Sequence, residues 1–563
     1  MADSAMGRRA VLAATAAAAA GAGAAGVAGA APAAARPSAA RPVAGARPGG
    51  PVVVRTAAGP VAGAREGGAL VFRGVPYAQP PLGALRFASP RPPRPWRGVR
   101  DATRFAPPFL QTVDPAGSED GLYANVWTPG TRGRRPVLVY IHGGGWQVGA
   151  GSWPTYDGRR LALRGDLVVI TFNYRMGAFG FGYHEELTDD RTGDCANWGL
   201  QDQAALLRWV RENAGAFGGD PADITLAGTS AGGASAWQLA LRPELRGLIR
   251  RIVPISACHV WAPATSLTVP DARRVYEEVA ARLGTTVRGL RAAPAAAVQD
   301  AWFAVFSGAP GGRVVGSGRE YRGPVVDGRW MRAFDHELAT PAVPVLSVHT
   351  RTEGSFYTGP GSPIPTPAPT DDASLRDAVR GVLLKGAARV SDSLVDGCVD
   401  AYRAAAVAEG LPLDPVSLWT DVWGDGLFRY LNVRLAERHA RTGTAPGYLM
   451  EFAHPARPPW FGTPHEHTSP FLFGTYGLPG NVGACGDGAG EVRVGDAFMD
   501  LVASFAHTGV PTAPGVPPWP PFAPGRASAL ILGEPGGARV AEVSKGGQLG
   551  FWDGGGWGPR VLG

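Results

Sequence analysis

The chain has 563 residues, 45% hydrophobic and 18% charged, which is enough apolar material for a large buried core. Its formal charge is +7, but residues 1–50 hold five arginines (Arg8, Arg9, Arg36, Arg41, Arg47) against Asp3 alone, leaving the remainder at +3. So small a balance argues against nucleic acid as a partner. Four cysteines (Cys195, Cys258, Cys398, Cys485) without a Cys-x-x-Cys pair make neither a disulfide framework nor a zinc site, although an oxidising compartment would permit one or two bridges.

In chain order, the first expected element is an export signal. Arg8-Arg9 precedes an alanine-rich run from Ala10 to Ala35 with no acidic residue, so residues 1–35 read as a twin-arginine-type signal peptide. Composition alone also fits a disordered Ala/Pro tail. Residues 36–50 read as an Ala/Pro/Arg-rich tether and 51–563 as a single domain. No other apolar run reaches the ~18 residues of a membrane span, so the expected location is secreted, either extracellular or periplasmic.

Five segments read as strands: PVLVYIHGG (Pro136–Gly144), LVVITFNYR (Leu167–Arg175), ADITLAG (Ala222–Gly228), VPVLSVHT (Val343–Thr350) and GYLMEFA (Gly447–Ala453). Unbroken Val/Ile/Leu runs of this kind suit strands buried on both faces of a parallel sheet. Between the second and third, QDQAALLRWVRENAGAF sets Leu206, Val210, Ala214 and Phe217 at helical spacing. Strand, helix, strand, helix predicts an α/β fold. Residues 261–341 and the Pro/Thr-rich piece GSPIPTPAPTDD are expected to be insertions and loops on that sheet.

The third strand runs into Gly228-Thr229-Ser230-Ala231-Gly232, a Gly-x-Ser-x-Gly pentapeptide, with a helix expected from Ala231. Such a strand-to-helix turn lifts a serine hydroxyl clear of the backbone, and glycines on either side avoid collisions across it. A serine nucleophile also needs donors for an oxyanion. IHGGGW (Ile141–Trp146) supplies unhindered N–H groups at Gly144 and Gly145, and Ala231 follows the serine itself. Taken singly, each motif is equally an ordinary glycine turn. Together they favour the nucleophile reading of Ser230.

Longer blocks carry a family resemblance. FRGVPYAQPPLGALRF (Phe72–Phe87), SEDGLYANVWTP (Ser118–Pro129) and NWGLQDQAALLRWVRENAGAFGGDPADITLAGTSAGG resemble the type-B carboxylesterases, which include bacterial para-nitrobenzyl esterases and the cholinesterases. The resemblance runs from about Pro51 nearly to the C-terminus. It implies the α/β-hydrolase fold, with a central mostly parallel sheet flanked by helices and large loop and helical insertions. It also implies a Ser-His-Glu triad: Glu353 in VHTRTEGSFY and His465 in FGTPHEHTSPFLFG, in the chain order Ser230, Glu353, His465. The residues alone would leave His454, His465 and His467 as neighbours; the family spacing from Gly462 selects His465, with His467 next. A small-molecule ester is the implied substrate, with no metal or organic cofactor.

The chain also departs from the family pattern. Thr229 stands where relatives usually carry Glu, and Thr468 where an acid often follows the histidine by three places. Leu110 and Gly121 replace an early cysteine pair, and Ser256-Ala257-Cys258 replaces Ser-Gly-Ser. Arg86 and Glu119 fall at an ion pair expected to belong to the fold. Trp146, Trp237 and Phe356 adjoin the site segments and fit either a pocket wall or plain core. Two other activities share this frame: a non-catalytic binding or adhesion module, which typically loses a triad member, and a lactone, amide or carbamate hydrolase.

Overall fold

The computed structural model describes residues 50–554 apart from 112–113, 115, 261–265, 307–322, 360–366 and 384–389. The expected signal and nearly all of the tether therefore lie outside the described residues.

Among the described residues thirteen strands form one mixed sheet: β1 (Val52–Arg55), β2 (Pro60–Glu66), β3 (Ala69–Pro76), β4 (Arg100–Asp101), β5 (Tyr123–Thr128), β6 (Arg135–Ile141), β7 (Val168–Phe172), β8 (Gly219–Thr229), β9 (Ile249–Ile255), β10 (Val345–Thr350), β11 (Gly447–Phe452), β12 (Ala529–Glu534) and β13 (Gly537–Ala541). Their spatial order is 1-2-3-5-7-6-8-9-10-11-12-13, with β4 beside β2. The run from β7 to β12 is parallel throughout. Antiparallel pairs close both ends of that block. The expected mostly parallel α/β-hydrolase sheet is what forms.

Alternation along each central strand feeds two cores. Val137, Val139 and Ile141 of β6 point into the larger one, and Leu138 and Tyr140 into the other. In β7, Val168, Ile170 and Phe172 join the first, and Val169 the second, together with Leu167 just before the strand. Helices α1 (Trp198–Asn213) and α2 (Ala231–Ala240) cover the first face with Leu206, Val210, Ala234 and Trp237.

The predicted first helix ends earlier than its periodicity suggested. Ala214 and Phe217 lie in a separate 3-10 turn, closed by Gly218 at φ +79°. The segment expected as insertion and loop carries two helices, α3 (Val269–Arg282) and α4 (Ala295–Phe306). Helix α5 (Ala489–Thr508) covers the second face with Phe498, Met499, Leu501 and Phe505. Arg86 grips Glu119 through paired bonds of 2.8 and 2.6 Å and donates to the carbonyls of Leu290 and Ala293. It thus ties the N-terminal block to the insertion. Among the described residues no two cysteines are disulfide-bonded, and no helix is long and apolar enough to cross a membrane.

Candidate active site

The site gathers at the carboxyl ends of adjacent parallel strands, where ligands bind in open α/β sheets. Register pairs Ile141 with Gly228, Thr229 with Ile255, and Val348 with Ile255. The loop after β6, the turn after β8 and the loop after β10 therefore emerge side by side.

Ser230 occupies the turn between β8 and α2 at φ +59°, ψ −122°. Backbone strain of this kind in a non-glycine residue costs about 1–3 kcal/mol and persists only where the surroundings enforce it. Here the Ser230 N–H donates to the Ile255 carbonyl at 2.8 Å, and the Ser230 carbonyl accepts from the N–H groups of Cys258 and Ala234, both at 3.1 Å. Gly232 is obligatory because a Cβ there would overlap the Ile141 carbonyl oxygen. Ser230 itself is nearly buried, at 6% exposure.

The expected oxyanion donors are in register with this turn. Gly144 and Gly145 adopt φ +106° and +61° in the loop after β6, and a Cβ on Gly144 would collide with the Val148 backbone. The Trp146 indole donates to Ser235 Oγ at 3.0 Å, pinning the loop to α2. His142 supports it from below, with Nδ1 2.8 Å from the Gly143 carbonyl and its ring stacked on Tyr174. Burial lowers the His142 pKa to about 4, so the ring is neutral. The N–H of Ala231 is the first of a helix and has no intrahelical acceptor.

His465 Nδ1 lies 2.7 Å from Glu353 Oε2, both buried. Glu353 Oε1 accepts the Thr350 N–H at 2.7 Å, which fixes the carboxylate against the end of β10. Burial acts to raise the Glu353 carboxyl, but the hydrogen bond and charge of His465 outweigh it and hold it below the usual range. An ionised Glu353 makes Nδ1 the protonated nitrogen and leaves Nε2 as the base. That Nε2 is buried and has no hydrogen-bond partner among the described residues.

Sequence reasoning missed the aromatic seat of His465. Phe428 stacks on the imidazole at 4.0 Å, and Phe356 meets it edge-on at 5.8 Å. Phe428 belongs to a single π-helical turn, Asp425–Arg429, inside a longer helix. Such turns recur at functional sites, yet nothing in the residue spacing announces this one.

His467 belongs elsewhere. Its Nδ1 is 3.9 Å from Cys485 Sγ, its ring packs near His454 and Phe471, and burial lowers its pKa to about 3. Of the three aromatic residues left open, Phe356 lines a pocket with Trp460, His465, Glu466, Ser469 and Asn481. Trp146 and Trp237 are core.

The match to known proteins covers nearly the whole described chain. The model of the carboxylesterase family matches residues 50–552. The chain belongs to the carboxylesterase family. This carboxylic-ester hydrolase of type B is 33% identical to a phenmedipham hydrolase of Pseudarthrobacter oxydans, over 84% of its own length and 93% of the relative's. It is 31% identical to the para-nitrobenzyl esterase of Bacillus subtilis, covering 82% and 90%. A solved Geobacillus stearothermophilus carboxylesterase superposes with a TM-score of 0.74 at 30% identity, over 89% of this carboxylesterase and 99% of that chain.

Proposed function

We propose that this carboxylesterase is an exported serine esterase working through an acyl-enzyme. Ser230 Oγ attacks the ester carbonyl carbon while His465 Nε2 takes its proton. Negative charge moves to the carbonyl oxygen, which the N–H groups of Gly144, Gly145 and Ala231 receive. The C–O bond to the alcohol then breaks, and His465 returns the proton to the departing oxygen. Water, deprotonated by the same nitrogen, attacks the acyl carbon; the bond from that carbon to Ser230 Oγ breaks, and His465 returns the proton to Oγ as the acid leaves. Glu353 orients the imidazole and balances its charge throughout.

The observation that carries this reading is the 2.7 Å Glu353–His465 bond beside a serine held in a strained turn. The test is hydrolysis of p-nitrophenyl esters of graded acyl length by the purified chain and by Ser230→Ala. We expect turnover that Ser230→Ala reduces by about 10⁶. Turnover surviving that change, or absent across all chain lengths, refutes it. Export rests on Arg8-Arg9 and the acid-free run behind them. Replacing both arginines by lysine should trap precursor in the cytoplasm, and unchanged secretion would defeat that part.

A further inference from the structure

Thr229 and Thr468, where the family resemblance implies acids, are both fully buried. A carboxylate nonetheless reaches this region, from the residue directly after His465. Glu466 has φ +69°, which turns its backbone against ordinary preference, and its side chain folds inward. Glu466 Oε2 is 3.1 Å from Ser469 Oγ; Ser469 Oγ is 3.1 Å from the Tyr140 hydroxyl; Tyr140 is 2.7 Å from Thr229 Oγ1. Each hydroxyl has one proton to give. The shortest contacts are satisfied together when Thr229 donates to Tyr140, Tyr140 to Ser469, and Ser469 to the carboxylate. Aligned donors of this kind reinforce one another.

The other oxygen, Oε1, fills the space over Gly143. A Cβ built on Gly143 would overlap it and lie 3.1 Å from Ser230 Cβ. Glu466 therefore stands at the head of the oxyanion loop, beside the nucleophile. Burial, and to a lesser degree Glu353, raise its carboxyl, while the positive charge of His465 acts in the opposite sense. A partly buried carboxylate is costly unless a positive charge forms next to it. The reaction forms that charge on His465 once in acylation and once in deacylation.

We propose that Glu466 is a positioning residue for His465, a second carboxylate that balances the imidazolium together with Glu353. The inference rests on the serine-esterase reading. The other titratable groups that feel Glu466 are Tyr140, Tyr156, Tyr174 and Tyr357. Burial raises all four, so they stay neutral, and Glu353 and Glu466 are the anions that bear on the ring.

The test compares the full chain with Glu466→Gln, Glu466→Asp and Ser230→Ala on p-nitrophenyl butyrate across pH. Glu466→Gln keeps the shape and removes the charge. It should lower kcat about tenfold to a hundredfold with KM within about twofold, and move the acid limb of kcat/KM about one unit to lower pH. Glu466→Asp keeps the charge and should keep the limb at its wild-type position. Organophosphate labelling of Ser230 in the two Glu466 variants, and the melting temperature of all three, establish that each is folded. An unmoved acid limb in folded Glu466→Gln, or the same displacement in Glu466→Asp, overturns the inference. If Ser230→Ala is dead while Glu466→Gln matches wild type, only Glu466 loses its role. If Ser230→Ala stays active, the esterase reading itself fails.

Discussion

The two halves of the site are held in different ways. Around Ser230 the constraints are backbone: amide bonds to Ile255 and Cys258, and Gly232 pressed against the Ile141 carbonyl. Around His465 they are side chains from remote parts of the chain: Glu353 after β10, Phe356 just beyond it, and Phe428 in the π turn. A turn shaped by steric exclusion tolerates only certain residues at fixed spacing. A seat assembled from separate segments accepts many sequences that yield the same surface.

Glu353→Gln attacks the side-chain half and should have the largest effect after Ser230→Ala, about 10⁴ in kcat, by losing the ionised partner that sets the imidazole's tautomer. Retained turnover would mean that the aromatic seat alone holds His465. The same variant probes stability. Because the folded Glu353 carboxyl is held below its usual range, its contribution is present above the unfolded carboxyl's pKa and disappears as pH falls through the lower folded value. The difference in melting temperature between wild type and Glu353→Gln should therefore shrink on acidification.

Gly232→Ala attacks the backbone half. Its new Cβ forces the elbow away from β6, and a displacement on the order of 1 Å costs about 10² in rate, with a lower melting temperature. Wild-type activity in Gly232→Ala would erase the distinction between the halves. The smallest effect is expected at the junction between them. Thr229→Val removes the hydroxyl bonded to Tyr140 and should cost about 1–2 kcal/mol by thermal melts, with less than a tenfold change in kcat. A larger loss would mean that Thr229, and not Glu466, organises the hydroxyl chain.

The sheet was legible where strands are buried on both faces, because β6, β7, β8, β10 and β11 read as continuous apolar runs. β9, IRRIVPI, does not read as such a run, since two arginines interrupt it. Residues 214–217 show the limit of periodicity: their apolar spacing continues the helix, but the backbone tightens into a 3-10 turn that leads to β8. Glycine patterns located Gly144, Gly145 and Ser230, while Glu353 and His465 needed the family resemblance, since neither residue carries a local signal of its own.

The sequence by itself determined the α/β class, the elbow and the glycine loop, because steric exclusion acts between residues a few places apart. The family spacing selects His465 over His467 as the partner of Glu353, and only the tertiary structure decided that Phe428 forms the histidine's seat. It alone brought the carboxylate of Glu466 to the region where Thr229 and Thr468 carry none. Those outcomes depend on contacts across as many as 329 positions, as between Tyr140 and Ser469. Side-chain chemistry at such separations leaves no period or spacing in the chain.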